Sequence, residues 1–222
     1  MNLFKTSARI LFALLLLTVS SGGHQVFAQT SPDPSQRTTQ AEKKDDETNL
    51  DTQLYLLVAT NQDVNDAKMP ASLESVIRQL RASLPFKNYR LSATLINRVK
   101  NDGRLSLRWV SGPMTASAAA SNGTLNPSFN EFRLNGVKLV QDAGGQHLVR
   151  IDGFAFGTRI PIQTGMTSAS NTLATPIISY ESTGLNTDIS MREGEAVIVG
   201  TLSVVPSGEV IVLVMSAKRT NK

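Results

Sequence analysis

Cysteine is absent from the 222 residues, and histidine occurs only twice. The lack of cysteine excludes disulfides, thiolate metal sites and cysteine nucleophiles. Aromatic residues make up 5% of the chain, so few rings are available for stacking on nucleotide bases. The formal net charge of +4 is small for this length and does not indicate a nucleic-acid partner. We therefore expect a protein held together by an ordinary apolar core, with no nucleic acid bound.

The usual signatures of catalysis are also missing. There is no Gly-x-Ser-x-Gly elbow, no phosphate-binding loop and no dinucleotide-binding glycine fingerprint. His147 is the one histidine after the N-terminal segment, and a lone histidine is typically a polar surface group. Glu193 and Glu195 flank Gly194 and could be drawn as an acid/base pair, but acidic residues beside a turn glycine are typical of solvated turns. We expect no enzymatic activity, no cofactor and no metal site.

The N-terminus has the three parts of a secretory signal peptide. Lys5 and Arg9 precede the apolar run Ile10–Val19, and Val26-Phe27-Ala28 provides a cleavage site. The alternative is an uncleaved anchor. We predict a signal peptide over residues 1–28 and no transmembrane helix in the mature chain. The exported protein is expected in the periplasm or outside the cell, and association with the outer membrane is an option. Residues 29–51 are polar and predict a disordered linker.

Residues 52–110 predict a βαββ module. A first strand covers Leu54–Ala59, and a helix lies between Pro70 and Pro85 with one apolar stripe. Strands then follow over Tyr89–Val99 and Arg104–Val110. The Asn-Asp-Gly sequence between them predicts a hairpin in which these two strands pair. The helix stripe consists of Leu73, Val76, Ile77, Leu80 and Leu84.

The remainder of the chain predicts β-strands separated by loops. A loop over 111–128 precedes residues 129–140, where Asn135-Gly136 predicts a second hairpin that splits the segment into two strands. A further strand over His147–Phe156 alternates polar with apolar residues, and a polar loop follows over Gln163–Thr175.

Outside the predicted signal peptide, the C-terminal stretch is the most apolar part of the chain. A strand over Leu185–Met191 ends in the turn Arg192–Glu195, and two β-branched runs then flank Pro206-Ser207-Gly208. Val210–Met215 contains no polar residue, which predicts a central strand buried on both faces. Residues 129–222 thus predict a β-rich module. The fold class is α+β, mostly antiparallel β, with a sheet or a sandwich.

The segment Thr187–Leu202, TDISMREGEAVIVGTL, resembles a hairpin of bacterial secretins, the ring-forming channels of the outer membrane. It is also similar to a stretch of small uncharacterised exported bacterial proteins. It departs from the secretin pattern at Thr201, where a second glycine is usual. The resemblance implies a non-enzymatic envelope protein that acts through self-association or contacts with other envelope proteins. An unrelated β-hairpin with an acidic turn is the alternative that the residues leave open.

A basic segment suggests a second function. It holds eight cationic residues against one acid, Asp102, and predicts a periplasmic binding module for an anionic ligand, polymer or membrane surface. A solvated face whose arginine stems cover apolar neighbours is the alternative. The cationic residues are Arg78, Arg81, Lys87, Arg90, Arg98, Lys100, Arg104 and Arg108.

Overall fold

The computed structural model describes residues 48–63, 69–114, 126–167, 175–204 and 208–220. The predicted signal peptide and the predicted linker up to residue 47 lie outside these ranges. Within them the fold is α+β and mostly antiparallel β, as predicted. In chain order the elements are β1 (Asn49–Thr60), a 3-10 turn (Ala71–Leu73), α1 (Glu74–Ser83), β2 (Asn88–Lys100), β3 (Gly103–Ser111), β4 (Ser128–Gln141), β5 (His147–Thr167), β6 (Thr175–Arg192), β7 (Val197–Val204) and β8 (Glu209–Arg219).

The strands form two four-stranded antiparallel sheets. One has the spatial order β2-β1-β8-β7 and the other the order β3-β4-β5-β6. A single apolar core contains buried residues of both sheets, such as Leu54 and Leu213 of the first and Phe132 and Phe154 of the second. The sheets therefore face each other as a sandwich.

Helix α1 covers the other face of the first sheet. Val76 and Leu80 of the predicted stripe are buried against Leu57 and Val212 in a second apolar cluster. The sheet β2-β1-β8-β7 thus lies between the helix and the second sheet, and we call it the covered sheet. The sheet β3-β4-β5-β6 has the core on one face only, and we call it the open sheet.

Strand β8 shows why a run without polar residues was required. It lies between β1 and β7, and all five residues of Ile211–Met215 have 0% exposure. Ile211, Leu213 and Met215 face the open sheet, whereas Val212 and Val214 lie under the helix. The predicted central strand buried on both faces is confirmed.

The predicted pairing of the two strands on either side of Asn-Asp-Gly is wrong. β2 pairs with β1, and β3 pairs with β4, so the chain changes sheets at Asn101-Asp102. The Asp102 N–H donates to the Val137 carbonyl at 2.7 Å, and Asp102 has a φ of 62°. Val99 and Leu105 still reach one core, but from facing sheets. A hairpin and a corner between facing sheets both bring the apolar residues of two strands into one core. The apolar pattern therefore did not distinguish them.

The predicted hairpin at Asn135-Gly136 is also wrong, because β4 runs unbroken through it. Gly136 has a φ of +57° and interrupts the pairing with β5 between Leu134↔Phe154 and Val137↔Ile151 without reversing the chain. The predicted pairing of Leu134 with Val137 therefore does not form. An Asn-Gly pair fits a local irregularity inside a strand as well as a two-residue turn.

Several boundaries also differ from the predictions. β1 begins at Asn49, so the predicted linker is too long at its C-terminal end. β5 extends to Thr167, into the predicted loop that starts at Gln163. Of that loop, residues 168–174 lie outside the described ranges. The predicted segments 52–110 and 129–222 share the covered sheet, because β1 of the first pairs with β8 of the second.

Candidate functional site

The structure distributes the eight predicted cationic residues over different faces. Arg78, Arg81 and Lys87 are exposed on α1 and in the connection after it. Arg98 and Lys100 lie on the helix side of the covered sheet, because Val99 between them points into the inter-sheet core.

The other three cationic residues point elsewhere. Tyr89 and Leu91 pack under the helix, so Arg90 points to the opposite side of β2, where its Nη2 donates to the Met114 carbonyl at 2.8 Å. Arg104 and Arg108 lie on the outer face of the open sheet, since Leu105 packs inward. The structure therefore does not bring the basic segment onto one face.

Two of these arginines are held by carboxylates. Arg98 Nε lies 2.8 Å from Asp51 Oδ1, and this hydrogen bond holds the pKa of Asp51 below its usual value. Arg108 Nη2 lies 3.3 Å from Glu131 Oε1, and Arg133 contacts the same oxygen. Burial raises the pKa of Glu131, but the hydrogen bonds from the two arginines outweigh it and leave that pKa below its usual value.

The acidic turn after β6 is a structural clamp. Glu193 accepts hydrogen bonds from the backbone N–H and from Nε of Arg219, both at 2.9 Å. The Arg219 hydrogen bonds hold the pKa of Glu193 below its usual value. Gly194 donates its N–H to the Ala217 carbonyl at 2.8 Å with a φ of +80°. Glu193 is thus engaged in an ion pair with Arg219, whereas Glu195 is exposed in the same turn.

This clamp also explains the geometry of the segment Thr187–Leu202. β6 belongs to the open sheet and β7 to the covered sheet, so the segment is a corner rather than a paired hairpin. The N–H of Glu193 donates to the carbonyl of His147, at the start of β5, at 3.1 Å. The turn therefore ties the two sheets together at one end of the sandwich.

The two edges of the open sheet, like β2 and β7 at the edges of the covered sheet, are candidate surfaces for association. β3 and β6 each have a described strand on one side only, and they are 9 and 18 residues long. An edge strand presents unpaired backbone N–H and C=O groups that another chain can pair with. Because four strands alternate in direction, β3 and β6 run antiparallel to each other.

The outer face of the open sheet carries a groove that sequence reasoning missed. It has a volume of about 540 Å³ and is lined by residues of all four strands. The groove crosses Gly157 of β5, which pairs with Gly184 of β6. Only the strand register places these glycines side by side, so no local sequence pattern indicates the groove.

No protein-family model matches the chain, and no curated protein matches it. The solved structures similar to it include secretins. One is the InvG secretin domain β-barrel of the Salmonella injectisome, at 13% identity and a TM-score of 0.33, covering 79% of this chain and 64% of that one. Another is the secretin PilQ of the Vibrio cholerae type IV competence pilus, at 10% identity and a TM-score of 0.30, covering 79% and 59%.

A third is the Klebsiella pneumoniae type II secretion outer membrane complex, whose title names PulD, PulS and a PulC domain. It is 11% identical with a TM-score of 0.32, and the match covers 79% of this chain and 39% of that one. This chain therefore spans less than two thirds of the length of each of these structures. In the described part of the chain, no three His, Cys, Asp or Glu side chains are grouped to hold a metal ion. The one described α-helix, and every other helix in those ranges, is too short or too polar to cross a membrane.

Proposed function

We propose that this chain is a non-enzymatic, exported, secretin-like protein of the bacterial envelope that works by assembling with further copies of itself. The observation that carries the proposal is the pair of unpartnered, mutually antiparallel edges of the open sheet. When β6 of one copy pairs with β3 of the next, the antiparallel ladder continues without a change of strand direction. Such a head-to-tail contact uses two different surfaces, and it generates a ring or a filament rather than a closed dimer.

The charges on the two edges complement each other. β3 carries Arg104 and Arg108 and β6 carries Asp188, all on exposed positions of the outer face. Glu181 of β6 pairs with the buried Ile160 and so lies on the other side of the strand. The pairing register inside the sheet sets a row that runs Arg108↔Glu131↔Gly157↔Gly184 across the four strands.

Extending this row into the next copy places its Arg108 beside Gly184. Because the strands are antiparallel, the Arg104 of that copy then lies opposite Asp188. The contact thus brings opposite charges together on the same face of the continued sheet.

The chain offers a clean test because it has no cysteine. Ser106 and Asn186 lie in one row, Ser106↔Arg133↔Ala155↔Asn186, at the two edges. Within one copy two strands separate them, but across the proposed contact they are neighbours. The double variant Ser106→Cys/Asn186→Cys is expected to form a ladder of disulfide-linked oligomers under mild oxidation, at a spacing that suits a disulfide.

Each single cysteine variant is the matched control and is expected to give at most a two-copy band. Arg104→Glu should reduce the ladder, and adding Asp188→Arg to it should restore the ladder. A double variant that stays monomeric, or single variants that form equally long ladders, would contradict edge-to-edge assembly.

The export part of the proposal rests on residues 1–28. N-terminal sequencing of the periplasmic or secreted protein is expected to begin within a few residues of Gln29. A protein recovered from the cytoplasm with Met1 intact would contradict export while leaving the assembly test untouched.

A further inference from the structure

The groove on the outer face of the open sheet has the composition of a ligand site. It runs across the strands from β3 to β6, and its volume falls in the range of small-molecule sites, roughly 300–1,000 Å³. Its lining includes Val110, Phe129, Glu131, Gly157, Arg159 and Ser182. Neither end is closed by a described strand, since both edges of the sheet are free. An open-ended groove suits an extended chain better than a compact molecule.

Arg159 supplies a cation that no carboxylate occupies. It makes no ion pair with any residue in the described ranges, whereas Arg108 and Arg133 share Glu131. Its guanidinium carbon lies 5.9 Å from the centre of the Tyr180 ring, a cation–π contact that leaves its N–H donors available. A guanidinium in this setting is suited to bidentate binding of a carboxylate.

Apolar side chains form the wall beside this cation. Val110 and Phe129 are 61% and 43% exposed, and the Phe129 ring lies 5.6 Å from the Tyr180 ring. The face of an aromatic ring is electronegative, so it attracts the weakly positive C–H groups of a sugar ring. Ser182 and Glu131 then provide partners for hydroxyl groups along the same groove.

Glycine forms the floor of the groove. A Cβ atom added at Gly157 would meet no atom within 4 Å, so the space above it is empty rather than filled by a neighbour. A Cβ atom there would enter the groove without displacing protein atoms. This gives a direct way to block the groove.

We propose that this groove binds an acidic glycan, with its carboxylate on Arg159 and a sugar ring against Phe129. The inference does not require the assembly proposed above, in which β3 of the next copy would lie beside the β6 end of the groove. A peptide is a poorer candidate, because extended peptides bind sheets along an edge, where their backbone groups find partners. Across the strands of an outer face those groups would remain unpaired.

The test uses the exported full chain and calorimetric titration with a hyaluronan oligosaccharide, whose alternate sugars carry carboxylates. The wild type is expected to bind it. Arg159→Gln should weaken binding at least about tenfold, as expected for loss of a hydrogen-bonded charge partner. Arg159→Lys should give an intermediate loss, because it keeps the charge without the planar fork.

Gly157→Leu should abolish binding, with thermal stability close to wild type. Ser203→Leu, which adds similar bulk at an exposed position of the covered sheet, should bind normally. A neutral chitin oligosaccharide should bind at least tenfold more weakly than the acidic one, and polyglutamate should not compete. The proposal fails if the wild type does not bind hyaluronan, or if Arg159→Gln and Gly157→Leu bind it like wild type. Equal binding of the chitin oligosaccharide, or of polyglutamate, would also overturn it.

Discussion

The two sheets of this protein differ in how many of their faces are covered. The covered sheet packs against the open sheet on one side and α1 on the other, and its central strand β8 reads as an unbroken apolar run. The open sheet meets the core on one side only, and its strand β4 alternates buried with exposed positions from Ser128 to Leu134. The same backbone architecture thus demands two different sequence patterns. The outer face of the open sheet is consequently free to carry charge, a groove and edges for association.

The largest expected effect comes from placing a charge in the covered sheet. Leu213 has 0% exposure and lies at the centre of β8, so Leu213→Asp would bury a carboxylate without water or a partner. The cost is expected to be several kcal/mol, comparable to a total stability of about 5–15 kcal/mol. Circular dichroism and urea titration should show an unfolded chain.

The matched change on the open sheet is Ser106→Asp, at an exposed position of its outer face, and it is expected to fold normally. If Leu213→Asp folds but elutes at a smaller size than wild type, β8 lies at an interface between copies rather than in the core. If Leu213→Asp folds as Ser106→Asp does and keeps the size of the wild type, the contrast between the two sheets is wrong.

The next largest loss of stability is expected from truncating a side chain of α1, the helix that packs on the covered sheet. Leu80 is 2% exposed and packs onto that sheet. Leu80→Ala removes its contacts and leaves a cavity, and it is expected to lower the free energy of unfolding by about 2–5 kcal/mol. Chemical denaturation measures this loss. Val110→Ala, a truncation on the outer face of the open sheet, is expected to change stability by less than about 0.5 kcal/mol. A similar loss in both variants would mean that α1 does not act as a cover.

A smaller effect is expected at the corner between the sheets. Gly194 has a φ of +80°, and a Cβ added there would meet no atom within 4 Å. Gly194→Val therefore tests backbone conformation alone, and it should cost about 1–3 kcal/mol because a β-branched residue disfavours positive φ. Gly112→Val is the control, since its surroundings are equally open and its φ is outside the positive region. The melting temperatures of the two variants measure this cost. Equal melting temperatures would mean that the backbone at residue 194 accommodates valine without strain.

The elements with a strong local signal were predictable from the sequence. The apolar stripe of α1 has the period of an amphipathic helix, and the apolar run of β8 is short and rich in β-branched residues, which favours a buried strand. The partners of the strands were not predictable in the same way. Asn101-Asp102-Gly103 and Asn135-Gly136 permit positive φ, and that property suits a hairpin, a corner and an irregular strand alike.

The candidate site was harder to predict than the fold. The basic segment is continuous in sequence, but strand alternation and the corner at Asp102 send Arg98 and Arg108 to opposite sides of the sandwich. The groove depends on Gly157 pairing with Gly184, and on Arg159 lying near Tyr180. These residues come from two strands whose relative register no local pattern encodes, so their proximity appears only in the folded structure.

The smallest expected effect concerns the ion pair that ties the corner to β8. Glu193 is bound by Arg219, and its pKa is held below the usual value of a glutamate, about 4.3. A carboxylate with a depressed pKa in the folded state stabilises the fold above its unfolded pKa, and this contribution is lost as the pH falls through the folded pKa.

Glu193→Gln is therefore expected to cost about 1 kcal/mol near pH 7, because the pair is partly exposed, and progressively less below about pH 4. Urea titrations of both proteins at a series of pH values from neutral to acidic would measure the difference. Glu195→Gln is the matched control, since Glu195 is exposed in the same turn, and its stability near pH 7 should equal that of the wild type. The acids Asp51 and Asp152 also have lowered pKa values, so the variant should keep part of the acid dependence of the wild type. A constant difference between Glu193→Gln and wild type across this range would mean that the side chain acts through packing rather than through its charge.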